Sequence, residues 1–125
     1  MSVLDDVDPA AMADGYVLVC DAARLVPDRG VAALIDGVAV AVFKLSDGSL
    51  YAIDNVDPIS GASVLSRGIV GEVDGTATVA SPMYKQRFDL RSGRCLDRDD
   101  ATVDTHAVLI INGCVAVKLG RALAR

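Results

Sequence analysis

A single histidine, His106, and three cysteines, Cys20, Cys95 and Cys114, are the residues in this sequence best suited to act as bases, nucleophiles or soft-metal ligands. Their placement argues against each of these uses. His106 lies in an apolar alternating stretch with Val108 and Ile110 on its face, so it reads as a residue packed at the edge of a core. General acid–base work would need partners that the sequence does not place beside it. The cysteines are far apart and form no Cys-x-x-Cys pair, which suits small buried hydrophobes in a reducing compartment. Cys95 follows the Gly93-Arg94 turn and is expected to be partly exposed, but only Arg94 is near in sequence to lower its pKa. No glycine belongs to a phosphate-binding Gly-x-Gly-x-x-Gly run.

Two other stretches carry a sharper signal. One is Asp54-Asn55-Val56-Asp57-Pro58-Ile59-Ser60-Gly61-Ala62, and the other is Ala80-Ser81-Pro82-Met83-Tyr84-Lys85-Gln86-Arg87-Phe88-Asp89, closing at Gly93. The second resembles the second cluster-binding loop of Rieske iron–sulfur domains, Cys-Pro-x-His-x-x-x-Phe-Asp-x-x-x-Gly, with Pro82, Phe88, Asp89 and Gly93 in register. The first resembles the Cys-Pro-His loop of the same domains. The ligand positions, however, hold Asp57, Ile59, Ser81 and Tyr84. A Rieske cluster takes two thiolates on one iron and two imidazoles on the other, and a chain with one histidine cannot supply two imidazoles. The expectation is a tip without metal. There Ile59 and Tyr84 fill the cluster volume, while Asp57 and Ser81 accept hydrogen bonds from the backbone of the two loops.

The motifs Asp-Pro-x-Ser-Gly-Ala and Ser-Pro-x-Tyr-Lys-Gln-x-Phe together resemble the small subunit of NAD(P)H-dependent assimilatory nitrite reductase, over residues 16–119. That resemblance implies an accessory, non-catalytic chain with no cofactor of its own. Its partner would be the large subunit that carries FAD, a [4Fe–4S] cluster and sirohaem and reduces nitrite to ammonium. It also implies an all-β, Rieske-like sandwich or barrel in which the two loops form a degenerate cluster-binding tip. A true [2Fe–2S] ferredoxin and a free-standing module that binds a small ligand in an open, emptied pocket are the rival readings.

The elements that must position these loops read as strands. Residues 16–20 alternate, and Pro27-Asp28-Arg29-Gly30 signals a turn. Residues 31–35, Asp36-Gly37 and residues 38–45 form a hairpin whose Asp-Gly pair suits a type I′ turn. Its second arm is apolar at every position from Val38 to Phe43, which predicts a central strand covered on both faces. A strand over 49–53 leads into the first loop, an irregular segment punctuated by Gly68 and Gly71 follows, and Thr76–Ala80 delivers the second loop. A last hairpin turns at Asn112-Gly113, and only 119–125 hints at helical periodicity. The expected organisation is a lead-in over 1–14, flexible and containing at most a short helical turn, one domain over 15–120 and a tail over 121–125.

Composition narrows the function classes. The chain has 125 residues, enough for one core, and 52% are hydrophobic. A net charge of −5 disfavours a nucleic-acid partner. No apolar run spans a bilayer and the acidic start lacks a signal-peptide pattern, so a cytoplasmic protein is expected. Charge is uneven: residues 81–94 carry a net +3 and residues 54–74 a net −3. Lys85, Gln86, Arg87 and Arg91 are therefore the candidates for contact with a partner protein. Arg87 is also expected to pair with an acid in the first loop.

Overall fold

The computed structural model describes residues 15–120. The lead-in over 1–14 and the tail over 121–125 lie outside the described residues. Nine strands are present among them: β1 Val17–Asp21, β2 Arg29–Ile35, β3 Val38–Lys44, β4 Leu50–Asp54, β5 Ile69–Val73, β6 Thr76–Ala80, β7 Arg87–Asp89, β8 Thr105–Ile111 and β9 Cys114–Lys118. They form a six-stranded antiparallel sheet in the order β1-β9-β8-β4-β3-β2 and a three-stranded sheet in the order β5-β6-β7. The outer strands of the larger sheet, β1 and β2, come near one another, so that sheet curls into a nearly closed barrel.

Strand β3 shows why the sequence folds this way. Its side chains alternate between two cores, as period-2 geometry requires. Val40 and Val42 join Leu25, Ile35, Ala52, Val115 and Val117 inside the barrel. Ala41 and Phe43 face the other way, against Ile53, Leu65, Val79, Phe88 and Leu90, where the small sheet packs on the large one. A strand with a core on each face must be apolar throughout, and Val40 to Phe43 are all fully buried. The turn ahead of it has the expected positive angles, φ 48° at Asp36 and 81° at Gly37.

Two strands and two short helices were not expected from the sequence. Strand β5 falls in the segment read as irregular. Gly71 interrupts its pattern and Ile69 faces solvent, so no apolar alternation marks it. It exists because it pairs along its length with β6. Strand β7 lies inside the second motif and is held by β6 on one side and an isolated bridge from Phe88 to Cys95 on the other. The 3-10 helices Ala22–Arg24 and Leu65–Arg67 are single turns, too short to leave a periodic signal.

Cys95, expected to be partly exposed, is buried in the core beside Phe88. Cys114 is fully buried, and burial pushes the half-buried Cys20 thiol up from its ordinary pKa, with the Arg24 charge opposing. None of the three has the exposed, electropositive setting of a reactive thiol. His106 is also buried. Its Nδ1 accepts a hydrogen bond from the Gly120 N–H at 2.9 Å, which leaves Nε2 to donate to Asp54 Oδ1 at 2.9 Å. It fastens the end of β8 to the end of β4, just below the first loop.

Candidate functional site: the tip formed by two loops

Strand β4 delivers the first loop and β6 the second, and a buried carboxylate joins them. Asp57 is fully buried. Within its own loop Oδ1 accepts from the Ile59 N–H at 2.8 Å and the Ser60 N–H at 3.4 Å. From the second loop the Ser81 hydroxyl donates to Oδ2 at 2.6 Å, and the Gln86 Nε2 group donates to both oxygens at 2.9 Å. Burial alone would raise the pKa of this carboxyl. The hydrogen bonds from Ser81, the Ile59 and Ser60 amides and Gln86 outweigh burial and hold it below the usual carboxylate range.

The backbone completes the clamp. The Asp57 amide donates to the Ala62 carbonyl at 2.8 Å, and the Gly61 amide donates to the Asp57 carbonyl at 2.7 Å. In the second loop the Ser81 amide donates to the Gln86 carbonyl and the Lys85 amide to the Ser81 carbonyl, each at 2.9 Å. The Ser81 hydroxyl also accepts from the Met83 N–H at 3.2 Å. Asn55 is buried and ties the loop to the helical turn beyond it, accepting from the Ser66 N–H through Oδ1 at 2.7 Å.

The predicted residues fare unequally. Asp57 and Ser81 accept backbone N–H groups as expected, and they also bond each other. Ile59 is half-buried. Tyr84 does not fill the cluster volume. It is 64% exposed, because the space between the loops is already taken by the carboxylate and its donors. Gln86 was expected on the contact surface but is only 6% exposed and turns inward. It sits two residues before buried Phe88 on the same face of the chain, so period-2 alternation from Phe88 would have placed it inside. Its role as a staple is the part of the site that sequence reasoning missed.

Arg87 does not reach the first loop. Its guanidinium pairs with Asp97, with Nη2 to Oδ1 at 2.8 Å and Nε to Oδ2 at 3.1 Å, while its own amide donates to Oδ2 at 2.7 Å. The segment after Cys95 runs beside β7, with the Leu96 amide on the Arg87 carbonyl, and sets Asp97 against the guanidinium. Hydrogen bonds from Arg87 hold the Asp97 carboxyl at about 2. A depressed carboxyl stabilises the fold above its unfolded value of about 3.9 and loses that contribution as pH falls through its folded value. A carboxyl titration followed by NMR is expected to place the Asp97 midpoint near 2, and Arg87→Ala to raise it only part of the way back, because the amide of residue 87 still donates to Oδ2. Lys85 and Arg91 are exposed.

Beside the carboxylate clamp lies a depression of about 600 Å³, lined by Ile59, Tyr84, Lys85, Gln86, Arg87, Asp97 and Arg98. The donors at the four ligand positions do not fit a [2Fe–2S] cluster. A carboxylate, a hydroxyl, a phenol and an alkyl group replace two thiolates and two imidazoles. His106 has both ring nitrogens engaged elsewhere, and no cluster of three or more potential metal ligands occurs among the described residues.

Residues 15–118 match the Rieske-like [2Fe-2S] domain family. The nitrite reductase (NADH) small subunit of Salmonella typhimurium is 38% identical over 101 residues, covering 80% of this chain and 94% of that protein. The nitrite reductase [NAD(P)H] large subunit of Klebsiella oxytoca is 37% identical over 118 residues, which is 94% of this chain but only 12% of that much longer protein. The solution structure of the nitrite reductase [NAD(P)H] small subunit from Erwinia carotovora superposes with a TM-score of 0.72 at 38% identity, covering 86% of this chain and 84% of the other. The chain belongs to the nitrite reductase [NAD(P)H] small-subunit family, whose fold is the Rieske-like domain.

Proposed function

We propose that this chain is a metal-free accessory subunit of an NAD(P)H-dependent nitrite reductase, working in the cytoplasm in nitrogen assimilation. It docks through its two-loop tip onto a large subunit that carries FAD, a [4Fe–4S] cluster and sirohaem and performs the reduction of nitrite to ammonium. The observation that carries the reading is the Asp57–Ser81–Gln86 network. It occupies the space between the loops with a permanent internal clamp and leaves the tip a shape to be recognised. Two further facts agree with it. Val56, Met83, Tyr84 and Leu96 are large hydrophobic residues exposed in or beside these loops, and exposed apolar residues grouped together mark contact surfaces. A sequence similar to nearly all of this chain also forms part of the Klebsiella oxytoca polypeptide named as a large subunit.

Co-expression with the large subunit is expected to yield a complex that purifies as one species and reduces nitrite. The purified small chain is expected to be colourless and free of stoichiometric iron. About two irons per chain with visible absorption would instead mark a Rieske ferredoxin. Failure of the two chains to associate, with nitrite reduction unchanged when this chain is deleted, would defeat the docking reading.

A further inference from the structure

Among the described residues five that are not glycine have positive φ. Four of them, Asp28, Asp36, Asp74 and Asn112, are of the types that tolerate this region. The fifth is Lys85, at φ 65°. A lysine gains nothing locally from the left-handed conformation, and Gly or Asn would hold the same turn with less strain. Strain of this kind persists where the side chain is needed for something else.

The surroundings say what that is. Lys85 stands on the rim of the 600 Å³ depression. The other two cations lining it are already engaged, Arg87 by Asp97 and Arg98 by Asp100. Lys85 has no ion-pair partner among the described residues and is exposed. In the wall beside it the Gln86 Oε1 atom is buried without a hydrogen-bond partner. The amide cannot simply turn over to use that oxygen, because Nε2 is needed on the Asp57 carboxylate. That acceptor is closed off from the surface, so what the depression offers a polar occupant is the Lys85 ammonium, which matches a carboxylate. The exposed ring of Tyr84 and the half-buried Ile59 supply the apolar part of the lining.

We propose that this depression receives an acidic segment of the large subunit, with a carboxylate paired to Lys85, and that Lys85 is kept in a strained conformation to present its ammonium there. The proposal rests on the docking reading above and adds the chemistry of the contact. Affinity for the purified large subunit is to be measured by titration at low and high salt for the wild type, Lys85→Gly, Lys85→Glu and, as a control, Arg24→Glu. Arg24 follows β1 beside the β8–β9 turn, at the end of the large sheet away from the loops.

Lys85→Gly is expected to raise the melting temperature by about 3 °C, since the turn loses its strain. The same variant is expected to bind about tenfold more weakly and with a shallower salt dependence, and Lys85→Glu about a hundredfold more weakly. Arg24→Glu is expected to bind as the wild type does. A more stable Lys85→Gly with undiminished affinity would overturn the proposal and leave docking intact. Equal losses from Arg24→Glu and Lys85→Glu would overturn it in favour of a diffuse field. A wild-type homodimer that Lys85→Glu dissociates, with large-subunit affinity unchanged, would overturn it by making a second copy the occupant. No wild-type complex at all would remove the docking reading and this proposal together.

Discussion

Replacing Asp57 with alanine is expected to cost about 3–4 kcal/mol of folding stability, near the top of the range for a single substitution. Among the described residues the carboxylate is the only acceptor given to three buried or half-buried donors, the Ser81 hydroxyl, the Gln86 carboxamide and the Ile59 amide. Truncation strands all three and severs both side-chain links between the loops. Against a typical total of about 5–15 kcal/mol, a loss of that size would leave the tip frayed even where the domain still folds. Asp57→Asn should cost roughly half as much. The new carboxamide keeps the shape, and its N–H groups can be met by turning Gln86 over, so that the unpartnered Oε1 accepts. Urea denaturation of the wild type and both variants at pH 7 makes the test. A cost below about 1 kcal/mol for Asp57→Ala would mean that the network is ornamental.

The same residue sets an acid response. Its folded pKa is depressed, so its contribution is complete above the unfolded value of about 3.9 and is lost as pH falls through the folded one. The wild type should therefore lose stability below about pH 4, and Asp57→Asn should show a shallower acid limb. Asp97 contributes a separate loss that continues towards its folded value of about 2, and this should survive in the Asp57 variant.

Much of this architecture could be read from the chain. The doubly apolar run from Val38 to Phe43 announced a strand with a core on each side, and the Asp-Gly and Asn-Gly pairs placed the hairpins. The joint loss of all four ligand types pointed to a tip held by hydrogen bonds and packing. Strands stabilised by pairing alone did not show: β5 exposes Ile69 and contains Gly71, and β7 is three residues long. Direction was the other weakness. Tyr84 looked like a plug and Gln86 like a contact, yet the polar side chain is inside and the aromatic one outside. Hydrophobicity alone ranks them the wrong way. The deciding fact is that a buried carboxylate needs donors: the Gln86 carboxamide nitrogen carries two N–H groups and reaches both oxygens, whereas tyrosine has a single O–H at the end of a bulky ring. The partner of Arg87 was hidden for a different reason. Asp97 is ten residues downstream in sequence, and only the doubling-back after Gly93 brings it alongside.

That doubling-back sets the second large effect, expected from Gly93→Ala. Gly93 has φ 81°, and a Cβ added there would lie 2.1 Å from the Val103 carbonyl oxygen and 3.2 Å from Thr105 Cγ2. Backbone, not a movable side chain, stands in the way. Any shift that relieves the clash must also disturb the Val103 N–H and Thr102 hydroxyl bonds to the Gly93 carbonyl, at 2.8 and 3.1 Å. Gly61→Ala separates the two costs. Gly61 has nearly the same angle, φ 80°, but nothing lies within 4 Å of the added carbon, so it should lose only about 1 kcal/mol to backbone strain. Gly93→Ala should lose about 3–4 kcal/mol, the excess measuring the close approach of the two backbone segments. The excess should also be felt at the tip. The 93–103 contact holds the chain that carries Cys95 and Asp97 against β7, and β7 begins one residue after Gln86. Hydrogen exchange should therefore quicken at Arg87 and Leu96 in Gly93→Ala while Gly61→Ala leaves them protected. Equal stability losses in the two variants would show instead that the angle alone makes glycine necessary at position 93.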